Sequence, residues 1–246
     1  MRPTPQQPVT PEAASSLIVI RNQNGRPEIL LGRRRASLRF MPGYFVFPGG
    51  KIDTKDRQVA EEILPLYQPL AENTGQQSLY DPLDEEATLA HQLAALRECL
   101  EETGGLPSLK TMLATPDSGS FAPDHPALKI WHGDLYSKSL DSPLEFPDLS
   151  MPCIAQAITP ESSPVRFNAR FYLSMDLFLE NIAPPEGELQ EVGFYCLQTA
   201  LKQFPIADVT EFVMHEVLQI LENGTLPDTP PLLTYDLKNE SVVINR

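Results

Sequence analysis

Apolar positions in this chain change their period several times, and each change marks an element. Residues 16–21 (SLIVIR) and 28–32 (EILLG) are short apolar runs that read as strands. The segment between them holds Asn24-Gly25, a pair that tight hairpins favour because both residues tolerate positive φ. Residues 44–47 make a third short strand, stopped by Pro48-Gly49-Gly50. A glycine pair at that place lets backbone come close to a ligand or metal. Further on, Leu89, Leu93, Leu96 and Leu100 recur at the spacing of one helical flank. Asp84 is placed to cap the start of this helix and Gly104 to end it. Residues 154–159 and 170–175 read as two more strands, and 210–223 as an amphipathic helix with apolar positions at 213, 217, 220 and 221. A helical stretch within 58–67 and a short strand within 128–135 complete the expected elements.

The long helix carries three carboxylates on its other flank. Glu98, Glu101 and Glu102 stand at i, i+3 and i+4, within a sector of roughly 100°. Such a face is ordinary when solvated, since like charges at this spacing then cost only ~0.2–0.5 kcal/mol. In a partly enclosed site the same carboxylates would repel by ~4 kcal/mol per pair at an effective dielectric near 20. Hard carboxylate oxygens with no softer donor beside them select Mg²⁺ or Mn²⁺, which removes that conflict. Glu98 and Glu102 are the first-choice ligands, and Glu101 either binds directly or holds one of the ion's waters. His91 lies on the same side two turns earlier and reads as a solvated histidine outside the site.

Composition narrows the function. With 246 residues and 41% hydrophobic content there is material for one sizeable core. A net charge of −14 argues against nucleic acid as the main partner and against anionic membranes. Cys99, Cys153 and Cys196 lack metal-ligand spacing and suit a reducing cytosol, with Cys99 expected to pack. Residues 1–14 are polar and proline-rich and read as a loose arm, and 225–246 as a tail. No run reaches the ~20 apolar residues of a membrane span. Against this acidity, four arginines fall within 33–39 (Arg33, Arg34, Arg35 and Arg39). The plain reading is a solubilising loop; the functional one is a phosphate grip, because guanidinium forks match phosphate oxygens.

Phe47-Pro48-Gly49-Gly50 with Arg97-Glu98-Cys99-Leu100-Glu101-Glu102-Thr103-Gly104 resembles the two ends of a Nudix box, G-x5-E-x7-R-E-U-x-E-E-x-G-U. Gly50 matches the first glycine and Asp56 falls where the box has Glu. The last apolar position is Gly105. Forty residues separate Asp56 from Arg97 where the box has seven, an insertion of 33 placed at about 57–89. Leu30, Leu31, Arg34, Arg39, Gly43 and 47–50 resemble the coenzyme A-associated signature L-L-T-x-R-S-x3-R-x3-G-x3-F-P-G-G, with Gly32 and Arg35 replacing its Thr and Ser. Met41-Pro42, the long insertion and residues 158–173 (ITPESSPVRFNARFYL) are similar to peroxisomal coenzyme A diphosphatases and their bacterial relatives. Residues 188–194 resemble the E-x-x-E-x-x-W segment of many Nudix proteins, with Phe194 for Trp.

The resemblance implies an α/β fold, a Nudix α/β/α sandwich with a mixed central sheet, as one domain over 15–224. It implies a metal-dependent diphosphatase of nucleoside-diphosphate-linked small molecules in the cytoplasm, with coenzyme A or an acyl derivative as leading substrate. ADP-ribose, NADH and dinucleotides are the alternatives, although the S-Q-P-W-P-F-P tag of NADH pyrophosphatases is absent; a non-catalytic nucleotide-sensing module is a further one. Arg34, Arg39, Gly49 and Gly50 become substrate contacts, and the Gly49 carbonyl a candidate for the metal shell. Arg97 is expected to brace the loop through Asp56. Glu191, Glu188 and Glu98 all stand as candidates for the general base. The insertion reads equally as a lid, a contact in a homodimer or a passive loop.

Overall fold

A computed structural model describes residues 9–64, 84–107, 151–175, 178–180, 187–236 and 241–246. Its layout follows from the first strand, β1 (Glu12–Gln23), whose period-two pattern sends Leu17 and Val19 to one face and Ile18 and Ile20 to the other, all four buried. β1 has different neighbours along its length. Glu12–Val19 run parallel to β7 (Phe167–Ser174), and Ala14–Ser16 antiparallel to β4 (Gly49–Lys51). Ile20–Gln23 pair with β2 (Arg26–Arg34) across a hairpin whose Asn24 and Gly25 have φ of 53° and 79°, as the dipeptide predicts. Pairing on both sides extends β1 back to Glu12, so the arm is shorter than residues 1–14.

The remaining strands of the main sheet are β3 (Phe45–Val46), β6 (Cys153–Ile158), β9 (Leu189–Cys196), β10 (Leu232–Asp236) and β11 (Ser241–Asn245). Their order is β11-β10-β6-β7-β1-β2-β3, with β4 added to β1 and β9 to β2. The β1–β7 and β6–β10 pairs are parallel and the others antiparallel, which makes the sheet mixed. β5 (Gly105–Pro107) and β8 (Phe178–Glu180) form a separate two-stranded pair. Residues 225–246 are therefore more than a tail, because β10 extends the sheet beside β6 and β11 closes that edge.

Helices cover both faces. α1 (Thr54–Ile63) and α2 (Glu85–Thr103) pack on the Leu17/Val19 face, where Leu89, Leu93, Leu96 and Leu100 are buried with Val59, Ala60 and Ile63. α3 (Leu197–Gln203) and α4 (Asp208–Asn223) cover the Ile18/Ile20 face through Leu197, Val213, Val217 and Ile220; Leu221 is left exposed. The ends of α2 are set as its sequence predicts. The Asp84 carboxylate accepts from the Ala87 N–H at 2.8 Å, and Gly104 ends the helix at φ 73°.

The helix expected within 58–67 begins earlier, at Thr54, and belongs to the core. Replacing all of 57–89 would thus remove Val59, Ala60, Ile63 and Leu89 from it. The strand expected within 128–135 lies outside the described residues, as does 65–83 of the insertion. No helix among the described residues is long and apolar enough to cross a membrane.

Candidate active site

Asp53 starts α1 with a capping box: its carboxylate accepts from the Asp56 N–H at 3.0 Å, and the Asp56 carboxylate accepts from the Asp53 N–H at 2.9 Å. Asp56 is thereby fixed with both oxygens toward α2, fully buried. Arg97 meets it as a fork, Nε to Oδ1 at 3.0 Å and Nη2 to Oδ2 at 2.9 Å. The other edge of the guanidinium is equally engaged. Nη2 donates to the Lys51 carbonyl at 2.9 Å, and Nη1 to Glu98 at 2.9 Å and Glu101 at 3.0 Å. Burial works against the charge on Arg97, but its bond to Asp56 and the attraction of three carboxylates outweigh it and raise its pKa. Arg97 thus ties the two halves of the interrupted motif together across the insertion.

Glu102 is the most buried of the three glutamates, at 8% exposure. Its Oε2 accepts from the Gly49 N–H at 2.9 Å. Burial pushes its carboxyl up to about 8, against the Gly49 bond and with help from the neighbouring Glu98 charge. Glu98 is raised too, again chiefly by burial. The glycines leave room for this: a Cβ on Gly50 would run into the Glu98 carboxylate, and one on Gly49 into Ser16 and the Ser15 carbonyl. Glu98 and Glu102 are therefore withdrawn from solvent, whereas Glu101 stays half-exposed.

These donors fit a divalent cation in kind, being hard oxygens that repel one another, two of them largely buried. They do not converge as placed, because Glu98 and Glu101 turn to Arg97 while Glu102 turns to Gly49. No group of three acidic, His or Cys side chains forms a ready metal cage among the described residues. Rotation of the glutamate side chains is needed to gather them.

The raised carboxyl of Glu102 has a measurable consequence. Between about pH 4.5 and 8 the folded metal-free protein holds a proton there that the unfolded chain has released. Stability therefore falls as pH rises through this window, by up to about 1.4 kcal/mol per unit. Glu102→Gln is expected to flatten that slope in urea titrations over the same range. An unchanged slope would place the titrating group elsewhere.

Two ion pairs join β2 to β9 beside this centre. Arg34 pairs with Glu188 at 3.1 Å and donates Nε to the Phe40 carbonyl at 2.9 Å. The Arg34 charge favours the ionised form of Glu102 and the Glu188 charge opposes it. Arg33 pairs with Glu191 at 3.2 Å. Glu191 sits in a β-bulge, with φ of 53° and its carbonyl held by the Tyr195 hydroxyl at 2.5 Å. Arg39 is exposed on the 35–43 loop, without an ion pair among the described residues. So Glu98, Glu101, Glu102, Arg97, Gly49 and Gly50 come together, while Arg34 and Glu188 pair with each other, Glu191 pairs with Arg33, and Arg39 makes no ion pair among the described residues.

His91 corrects the sequence reading. It is buried, with Nδ1 2.8 Å from Ser15 Oγ, and loss of solvation first and the Arg170 charge second lower its pKa to about 3. It is a neutral tie between α2 and β1, at the residue of β1 that pairs with Gly50. Nothing local in the sequence marks it, since its partner lies 76 positions away.

A Nudix hydrolase from Alicyclobacillus acidocaldarius shares this architecture: it is 26% identical, over 90% of this chain and 99% of that one, at a TM-score of 0.59. The chain has the Nudix hydrolase fold. Two other solved structures are more distant. The Nudix domain of Shewanella oneidensis NrtR, solved with ADP ribose, is 12% identical over 87% of this chain and 90% of that one, TM-score 0.45. An Ap4A hydrolase from C. elegans is 13% identical over 86% and 98%, TM-score 0.44. No protein-family model matches the sequence, and no curated protein does. The likeness to the Alicyclobacillus protein supports the Nudix superfamily, and the chain is a hydrolase acting on phosphoric anhydrides. Nudix hydrolases generally use divalent metal ions.

Proposed function

We propose that this chain is a Mg²⁺- or Mn²⁺-dependent diphosphohydrolase of nucleoside-diphosphate-linked small molecules, with coenzyme A or an acyl-coenzyme A as leading substrate. The observation that carries the diphosphatase reading is the desolvated pair Glu98 and Glu102 against the Gly49-Gly50 strand, with Arg97 locking that strand to α2. Glu98 and Glu102 hold the ion, and Glu101 holds it or one of its waters. A bound ion supplies charge neutralisation at the diphosphate and polarises the attacking water. Gly49 and Gly50 let the diphosphate approach backbone. Arg97 acts as a positioning residue, since all its donors are already engaged.

Water attacks one phosphorus, its bond to the bridging oxygen breaks, and two monophosphates leave. Glu188, Glu191 and Glu98 are the candidates to take the water's proton; Glu188 and Glu191 are each paired with an arginine of β2, Arg34 and Arg33. Arg34 restrains Glu188 and is the nearer arginine for the phosphates. The coenzyme A reading rests on the sequence signature around Arg34 and Arg39.

The test is a panel of coenzyme A, dephospho-coenzyme A, ADP-ribose, NADH and dinucleotides with Mg²⁺ or Mn²⁺, with products identified by mass. It is repeated on Arg34→Ala and Arg39→Ala. A charge-assisted bond to phosphate is worth ~1.5–3 kcal/mol, so its loss lowers kcat/KM by roughly ten- to a hundredfold or slightly more. An arginine on the 3′-phosphate should lose activity only on coenzyme A and converge on the dephospho rate. Equal loss on all substrates would make the arginines general phosphate binders. Cleavage of ADP-ribose with none of coenzyme A would overturn the coenzyme A assignment and leave the diphosphatase.

A further inference from the structure

His91 stands two turns before Glu98 on α2, about 10 Å along the axis, so the two side chains leave the helix on nearly the same flank. Its neighbours on the buried side are Leu89, Leu93 and Leu96. Apolar contacts of that kind are non-directional and let a helix slide by small amounts. His91 is directional. Its Nδ1 is 2.8 Å from the Ser15 hydroxyl, both residues are buried, and the ring also interacts with the Ala14 backbone. A buried polar pair that is satisfied in this way specifies one packing arrangement over its neighbours.

The anchor on β1 bears directly on the acidic centre. In the β1–β4 ladder Ser15 is the partner of Gly50, and Ala14 that of Lys51. A Cβ on Gly50 would run into the Glu98 carboxylate. α2 therefore spans a single ladder pair, with His91 against Ser15 and Glu98 against Gly50. Two further bonds join α2 to β4. Arg97 Nη2 donates to the Lys51 carbonyl at 2.9 Å, and the Gly49 N–H donates to Glu102 at 2.9 Å. The second of these uses a carboxylate that has to turn away before the three glutamates can gather. The His91–Ser15 bond uses none of them, so it holds whichever way they point.

We propose that His91 and Ser15 are positioning residues of the cation site, fixing α2, and with it Glu98 and Glu102, in register against Gly49 and Gly50. This rests on the reading of Glu98 and Glu102 as cation ligands and adds how their helix is held on the glycine strand. Neither residue belongs to the motif that carries the ligands, and they stand 76 positions apart in the chain.

The test follows metal binding, so that it stands apart from turnover. Mn²⁺ is titrated into the full chain and into Ser15→Ala, His91→Leu and the double variant, with free Mn²⁺ read from its electron paramagnetic resonance signal. Residues that orient metal ligands from behind typically change metal affinity by roughly ten- to a hundredfold when lost, and each single variant should weaken Mn²⁺ binding by about tenfold. The double variant should bind no more weakly than the weaker single one, because both substitutions remove the same bond. Val213→Ala, in the core on the other face of the sheet, controls for stability alone: it should lower the melting temperature and leave Mn²⁺ affinity unchanged. Ser15→Ala removes a single oxygen, so it tests the bond even where His91→Leu does not fold. Unchanged Mn²⁺ affinity in Ser15→Ala, losses that add in the double variant, or an equal loss in Val213→Ala would overturn the positioning role and leave the cation reading standing. A wild type that binds no Mn²⁺ would overturn both together.

Discussion

Glu98→Gln and Glu102→Gln are each expected to lower kcat at saturating Mg²⁺ by at least about a hundredfold. The ion's charge stabilisation is worth several kcal/mol, and each 1.36 kcal/mol is about tenfold in rate. Both substitutions keep shape, and an amide oxygen can still accept from the Gly49 N–H or from Arg97, so circular dichroism of the metal-free protein should not change. Glu102→Gln should be the more severe, because Glu102 is the more deeply buried of the two. Wild-type turnover in both variants across a Mg²⁺ titration would refute their assignment as ligands.

The second large effect is expected at Arg97. Replacing it by leucine leaves Asp56, which has no exposure at all, without its counter-charge. Removing one partner of a buried pair costs about 3–5 kcal/mol, and here it also frees the Lys51 carbonyl and two glutamates. Urea unfolding should show this loss, and Asp56→Leu combined with Arg97→Leu should recover part of it, since the fully buried Asp56 charge is then gone. A single variant that lost under about 1 kcal/mol would mean that the pair is not what joins the two halves of the site.

Much of this was readable in advance because it is local or periodic. The 4-3-4 leucines, Asp84 and Gly104 define α2 unaided, and the Asn24-Gly25 turn needs only its own two residues. The Arg97–Asp56 contact spans 40 intervening residues and became legible only through the resemblance that aligned both ends. What escaped is what depends on distant partners. β4 is three residues, two of them glycine, with no alternation to see. The burial of His91 is decided by Ser15, and the different settings of Glu188 and Glu191 by a bulge opposite Gly32.

The 40-residue separation also bears on chain entropy. Closing a flexible loop costs free energy that grows only with the logarithm of its length, so lengthening the connection from seven residues to 40 adds about 1.5 kcal/mol. α1 already orders part of that connection. The buried guanidinium–carboxylate lock, at about 3–5 kcal/mol for losing one partner, exceeds the increment by a factor of roughly two to three. Growth of the chain between Asp56 and Arg97 can therefore reshape the protein's outline at small thermodynamic cost, while the distances around Arg97 stay as they are.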